Sequence, residues 1–105
     1  MSQPGSGGPR YAVHCSRFVL DALRQLQHKA TDVGIGSTVL TAIKAIHKHL
    51  QEDPLGFGEP LYRLRLFPLQ VRVAVVSPLA VDYTVDEQRR LVFIKGIRPL
   101  SGHGL

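Results

Sequence analysis

The sequence predicts an α+β fold in which a two-helix hairpin packs on one face of an antiparallel sheet. Two stretches in the first half repeat apolar residues with a helical period. The second half alternates apolar and polar residues in several short runs, which is typical of strands. A further strand-like run precedes the helices. We therefore expect an N-terminal strand, a helical hairpin and a sheet of three to four antiparallel strands.

The length and composition are those of one globular domain. The chain has 105 residues, of which 44% are hydrophobic and 20% charged, so it can bury a core. No apolar run approaches the roughly 20 residues that span a bilayer. The first ten residues lack the apolar stretch of a signal peptide. We expect a flexible tail at 1–10, a single domain at 11–100, a short tail at 101–105 and a cytoplasmic protein without membrane contact.

The first half predicts one strand and two helices. Residues 11–16 alternate like a strand, and Ser16 lies where a helix N-cap belongs. The stripe of the first helix contains Val19, Ala22, Leu23 and Leu26. Glycines in the segment 31–37 interrupt the pattern, and Ser37 is the predicted N-cap of the second helix. That helix ends at Asp53, before a proline, and its stripe contains Val39, Ala42, Ile43, Ile46 and Leu50.

The second half predicts strands joined by polar turns. In residues 59–67, alternation places Arg63 and Arg65 on one face, about 7 Å apart. Residues 69–76 alternate so that Leu69, Val71, Val73 and Val75 oppose Gln70, Arg72 and Ala74. In residues 79–85 the predicted core positions are Leu79, Val81, Tyr83 and Val85. Residues 86–90 form a polar turn, and residues 91–97 form the last strand.

Charge points to an anionic partner, while the histidines and the cysteine do not point to a metal. The formal net charge is +5, which favours nucleic acid or an acidic protein segment. His47 and His49 are two residues apart on a helix and do not face each other. The single cysteine, Cys15, excludes an internal disulfide or a multi-cysteine zinc site, and we expect it to be a small buried hydrophobe. We expect neither a metal nor a cofactor.

Three segments together resemble a known family. They are the strand at 11–16 with the helix after it, the segment 42–65 from the second helix through a glycine-rich loop into a strand, and the terminal hairpin at 79–100. This order resembles the RelE/ParE superfamily of type II toxin–antitoxin systems and covers most of residues 11–100. The resemblance implies a small toxin that a cognate antitoxin neutralises, of the kind linked to plasmid stabilisation.

The resemblance leaves the target open. Ribonuclease members cleave messenger RNA on the ribosome without a metal. ParE-type members act on DNA gyrase and have no nuclease chemistry. The two groups share a fold, so the fold does not decide between them. A toxin fold retained as an inactive protein-binding module is a further alternative, and an unrelated basic α+β domain is another.

The nuclease alternative implies a basic sheet face that contacts RNA. Arg63 and Arg65 match the paired basic positions of the family, and Lys95 and Arg98 are further candidates for nucleic-acid binding. The planar guanidinium forks of the arginines suit a phosphate. The competing interpretation is that these side chains are simply the solvated side of a half-buried sheet.

The implied catalytic residues are Arg65, Arg72 and His103. His103 is the candidate general acid or base, because imidazole titrates near neutral pH. Nuclease members carry an arginine on the central strand. Arg72 occupies that position if residues 69–76 form this strand, whereas Ala80 occupies it if residues 79–85 do.

Overall fold

The computed structural model describes residues 10–63 and 69–100, and of Tyr62 and Arg63 it describes the backbone alone. The chain forms five strands and three helices in this part. In order they are β1 (Ala12–Cys15), α1 (Arg17–Asp32), α2 (Gly36–Glu52), α3 (Pro54–Phe57), β2 (Glu59–Arg63), β3 (Leu69–Val76), β4 (Leu79–Asp86) and β5 (Leu91–Pro99). Within these residues, no helix combines the length and the apolar character needed to cross a membrane.

All five strands belong to one sheet in the order β1-β5-β4-β3-β2. Strands β2 to β5 pair antiparallel with their neighbours, whereas β1 pairs parallel with β5. The α+β class is therefore confirmed, with four antiparallel strands and a parallel N-terminal strand beside them. The parallel pairing follows from the connection, because the chain leaves β1, crosses the sheet as helices and returns through β2, β3 and β4.

Local signals set the helix boundaries. The predicted cap of α1 is confirmed, since the Ser16 hydroxyl accepts a hydrogen bond of 3.2 Å from the Val19 amide. The predicted cap of α2 is wrong, because the helix begins at Gly36, one residue before Ser37, and its N-cap is Ile35. The turn between the helices already ends there, since the Ile35 amide donates to the Ala30 carbonyl at 2.8 Å.

The core lies between the helical hairpin and the middle strand. Four of the five residues of the α2 stripe are buried, as its period predicts, whereas Ile43 is half-buried and Ala22 of the α1 stripe is exposed. On β4, Leu79, Val81, Tyr83 and Val85 are fully buried against the helices. The buried cluster contains Ala30, Val39, Ala42, Ile46, Leu50, Ala74, Leu79, Val81, Tyr83, Val85 and Val92.

Strand β3 turns its more polar side to the helices. The alternation predicted for residues 69–76 is observed, but Gln70, Arg72 and Ala74 are the buried set, whereas Val75 is 60% exposed. The register explains this orientation, because Arg72 and Ala74 lie opposite the buried Tyr83 and Val81. Residues 69–76 form a strand of their own, and β4 is the middle strand of the five.

Candidate functional site

Two polar side chains meet on the buried face of the sheet. Arg72 on β3 and Tyr83 on β4 are direct partners in the strand register. Arg72 is 7% exposed and Tyr83 is fully buried. A buried arginine and a buried phenol both require hydrogen-bond partners, because an unpaired polar group in an apolar interior is costly.

The turn between α2 and β2 supplies most of these partners. The Tyr83 hydroxyl donates to the Pro54 carbonyl at 2.6 Å and accepts from the Gly58 amide at 3.0 Å. Arg72 donates through Nη2 to the Gly58 carbonyl at 2.5 Å and through Nη1 to the Gln70 side chain. The pair therefore fixes both ends of the short helix α3, which delivers the chain to the edge strand β2.

Gly58 is the tightest point of this turn. A Cβ atom there would lie 2.5 Å from the Val73 carbonyl oxygen and 2.7 Å from the Tyr83 hydroxyl. Its backbone is extended, so the requirement for glycine comes from this close approach and not from the backbone angles. The sequence shows this glycine only as part of a glycine-rich loop, and the contact that requires it comes from strands later in the chain.

Aromatic rings continue the packing outward from Tyr83. The Phe57 ring stacks on the Tyr83 ring with centroids 6.1 Å apart. The His49 ring also stacks on the Phe57 ring, with the ring centroids 4.6 Å apart and the ring planes at 11° to each other. Together with the hydrogen bonds, these stacks hold α3 against the sheet and against the end of α2.

Burial favours the protonated form of the Tyr83 phenol. The buried Arg72 guanidinium has no carboxylate partner among the described residues. Desolvation raises the pKa of Tyr83, and the neighbouring Arg72 acts in the opposite direction. The phenol therefore stays protonated at neutral pH and can donate to the Pro54 carbonyl. Among residues 10–63 and 69–100, no carboxylate pairs with Arg72, and its buried Nε finds no hydrogen-bond partner.

Two other predicted basic residues, Arg98 and Lys95, are on β5. Arg98 lies on the face of the sheet opposite to Arg72, and Lys95 lies at a β-bulge. Arg98 lies opposite Ala80, and its guanidinium forms an ion pair with Asp82. Asp82 and Tyr83 are consecutive on β4 and so point to opposite faces. Lys95 is exposed and is the extra residue of the bulge between the pairs of β4 and β5. Arg72 and Arg98 therefore lie on opposite faces of the sheet.

Three predicted site residues lie partly or wholly outside the described part of the chain. Arg63 pairs with Gln70 through the backbone of β2, and its side chain lies outside the described residues. Arg65 and His103 lie wholly outside them. The shared face of Arg63 and Arg65 and the catalytic role of His103 therefore stay predictions. Ala80 lies on β4, the middle strand of the sheet, and is buried, whereas Arg72 lies on β3. Which of the two occupies the family's basic position stays a prediction.

The face of the sheet away from the helices carries a ring pair that the sequence did not single out. His14 on β1 and Phe93 on β5 are register partners, and their rings stack at 5.7 Å. Phe93 in turn lies opposite Thr84 of β4. The alternation of residues 11–16 had placed His14 opposite the apolar side of β1, but only the register brings Phe93 beside it.

The described residues contain no group of three histidine, cysteine, aspartate or glutamate side chains that could hold a metal ion. Cys15 is half-buried and unpaired.

The fold is similar to that of two toxin–antitoxin structures. A chain of the archaeal RelE–RelB complex from Pyrococcus horikoshii OT3 superposes with a TM-score of 0.62 at 16% identity, over 88% of this chain and 97% of that chain. A chain of the toxin–antitoxin complex RelBE2 from Mycobacterium tuberculosis gives 0.64 at 18% identity, over 90% and 95%. No protein-family model matches the sequence, and no curated protein matches it. The predicted RelE-like fold is confirmed.

Proposed function

We propose that this chain is the toxin component of a two-protein toxin–antitoxin system. The observation that carries the proposal is the extent of the structural likeness, which covers at least 88% of this chain and at least 95% of each neighbour. Both neighbours come from complexes whose names state a RelE–RelB or toxin–antitoxin pairing. The net charge of +5 fits a protein that meets an acidic partner and an anionic target.

Tightly induced expression of this chain in bacteria tests the toxin role. We expect prompt growth arrest, and we expect co-expression of the protein encoded beside it to restore growth. Normal growth with soluble chain visible on a gel would contradict the toxin role in that host.

The finer proposal is that the arrested cells contain messenger RNA cleaved on the ribosome, with Arg65 as the phosphate-contacting residue. Support comes from the sequence, in which Arg63 is the last residue of the edge strand β2 and Arg65 is two positions further along the chain. Guanidinium groups stabilise a crowded phosphate, and losing one such donor costs about 10²–10³ in rate.

Arg65→Ala should reduce message cleavage by about that factor, measured by sequencing RNA ends from induced cells. Arg17→Ala is the matched control, because Arg17 is 81% exposed at the start of α1. Cleavage by Arg65→Ala at the level of Arg17→Ala would remove Arg65 from the site.

A non-catalytic toxin fold, directed at DNA gyrase or retained as a binding module, is the second candidate. It is favoured by the placement of Arg72, which is committed to the Gly58 carbonyl and to Gln70 on the buried face. Growth arrest with intact message and with cleaved chromosomal DNA would support the gyrase-directed alternative. Partner binding without growth arrest would support the binding module.

A further inference from the structure

The open face of the sheet, which is the side away from the helices, has an exposed pair of stacked rings. Phe93 of β5 is 38% exposed. Its register partner His14 of β1 is exposed as well, and the two ring centroids are 5.7 Å apart. An open cavity of about 340 Å³ is lined by both rings. Aromatic rings left in solvent on a sheet face are typical of surfaces that stack unpaired nucleobases.

An ion pair lies on the same face, beside the rings. Asp82 and Thr84 are two residues apart on β4, so they point to the same face about 7 Å apart. Thr84 lies opposite Phe93 in the register. The Asp82 carboxylate accepts a hydrogen bond from the Arg98 guanidinium, and the two side chains remain 35% and 55% exposed. A carboxylate is thus held one register step from the exposed rings.

The space beside this carboxylate is open. Asp82 lies opposite Gly96 of β5 in the register. A Cβ atom at Gly96 would meet no heavy atom within 4 Å. A planar group that stacks on Phe93 can therefore extend toward Asp82, because Gly96 adds no side chain next to the carboxylate.

We propose that this part of the open face binds an unpaired guanine base of single-stranded RNA. Phe93 and His14 stack on the base, and the Asp82 carboxylate accepts hydrogen bonds from its N1–H and N2–H groups. Guanine has two adjacent donors on its Watson–Crick edge, which match the two oxygens of a carboxylate. Adenine, cytosine and uracil each have an acceptor next to the donor, and that acceptor is repelled by a carboxylate.

Arg98 supplies a cation beside the base. Its guanidinium has five N–H donors, so it can stay paired with Asp82 and also donate to an RNA phosphate. The net charge of +5 favours the same polyanion. The choice of RNA as the polymer rests on the proposed function. The choice of guanine rests on the geometry around Asp82 and Phe93 alone.

Binding to two matched short RNAs tests the proposal. Each probe is a fluorescently labelled heptamer of 2′-O-methyl uridines with one 2′-O-methyl guanosine or adenosine at its centre, so that no 2′-hydroxyl is present for cleavage. The full chain is titrated into each probe, and fluorescence polarisation is measured. We expect the guanine probe to bind about tenfold more tightly, which is the size of one bidentate contact to a base edge. Equal binding of the two probes, or binding of neither, would overturn the proposal.

The ratio of the two affinities isolates the role of Asp82. Asp82→Asn replaces one carboxylate oxygen by an amide donor, so the preference for guanine should be lost. Asp21→Asn is the matched control, because it makes the same charge change in an exposed aspartate of α1 that pairs with arginines. A general gain in affinity for RNA affects both probes alike and cancels in the ratio. An unchanged ratio in Asp82→Asn, or equal loss in both variants, would contradict recognition by Asp82.

A second pair of variants tests the stacking. Phe93→Ala should weaken the binding of both probes about tenfold, because stacking is insensitive to base identity. Phe18→Ala is the control, since it removes a ring that is 80% exposed on α1, and it should leave binding unchanged. If Phe93→Ala does not fold, His14→Ala replaces it and should weaken both probes severalfold. Binding of the stacking variant at the level of Phe18→Ala would show that the rings do not contact the base.

Failure of this subsite and failure of the toxin role can be told apart, because the titrations need neither the ribosome nor cleavage. If the chain arrests growth but binds both probes equally, the guanine subsite is wrong and the toxin role stands. If the chain does not arrest growth but prefers guanine through Asp82, the subsite stands and the toxin role is wrong in that host.

Discussion

The two ends of the sheet differ in how their helix-facing side is covered. At the β2–β3 end, the turn of α3 covers the buried face and is held by hydrogen bonds from Arg72 and Tyr83. At the β1–β5 end, the helices leave an aliphatic groove that the described part of the chain does not fill. Strands β1 and β5 form the floor of this groove, and its apolar lining consists of Val13, Leu20, Leu23, Ile43, Ile94 and Ile97. The same helical hairpin borders both regions.

The α3 turn at the β2–β3 end has a fixed geometry, whereas the groove at the β1–β5 end can adapt to what contacts it. Hydrogen bonds are directional, so a buried network of them selects one arrangement of the turn. Contacts between aliphatic side chains are non-directional and tolerate different partners. The hydrogen bonds thus fix the turn that leads into β2, whereas the aliphatic side chains that line the groove are only partly covered.

Gly58→Ala should have the largest effect on the rigid end. The added methyl group would lie 2.5 Å from the Val73 carbonyl oxygen, so the backbone of the turn must move. We expect a loss of about 2–3 kcal/mol in the free energy of unfolding, measured with urea. The control is Gly96→Ala, where a Cβ would meet nothing within 4 Å. A loss in Gly96→Ala as large as that in Gly58→Ala would contradict the close-packing argument.

Tyr83→Phe should have the next largest effect. The ring and its stack on Phe57 remain, but the Pro54 carbonyl and the Gly58 amide lose their partner. Leaving buried backbone groups unpaired costs about 1–3 kcal/mol, which urea unfolding at constant m-value would show. An unchanged midpoint would mean that water replaces the hydroxyl at no cost and that the turn is not held by it.

The N-terminal half of α1 forms one wall of the groove. Its N-cap hydrogen bond, made by Ser16, can be removed by substitution. Ser16→Ala should lower stability by about 1 kcal/mol, because the Val19 amide loses its acceptor. Ser37→Ala is the informative control, because Ser37 has the sequence of a cap but lies inside α2. We expect its thermal midpoint to stay close to that of the unmodified chain. Equal shifts in both variants would contradict the boundary of α2.

The finest test of the rigid end uses pH. Burial raises the pKa of Tyr83 above its ordinary value of 10.0, so the folded state holds the phenolic proton more tightly than the unfolded state. The contribution of this phenol to the free energy of unfolding is therefore fully present below about pH 10 and decreases as the pH rises above the pKa of the unfolded state. The difference between the unmodified chain and Tyr83→Phe should shrink there. A difference that is constant from pH 8 to 11 would contradict the raised pKa.

Local patterns predicted the elements that local physics determines. The helical stripes, the Ser16 cap and the burial of Tyr83 on β4 each depend on residues close together in sequence. The features that the sequence did not predict depend on contacts between residues far apart in the chain. Alternation does not reveal that Arg72 will find the Gly58 carbonyl 14 positions away, and so its burial was not predictable.

The candidate site shows the same limit. The basic residues were found from charge and from the family resemblance, but their distribution over two faces depends on the sheet register. The groove depends on four elements, α1, α2, β1 and β5, and its aliphatic residues look like ordinary core in the sequence. Only the assembled sheet shows that they are partly exposed.

The parallel pairing of β1 with β5 has a consequence for synthesis. Ala12 pairs with Leu91, so the first strand has no place in the sheet until the last strand has been made. Contacts between residues so far apart in sequence form late and slow the folding of a domain. During translation, therefore, the helical hairpin can form early, whereas the floor of the groove is completed only after the fifth strand emerges.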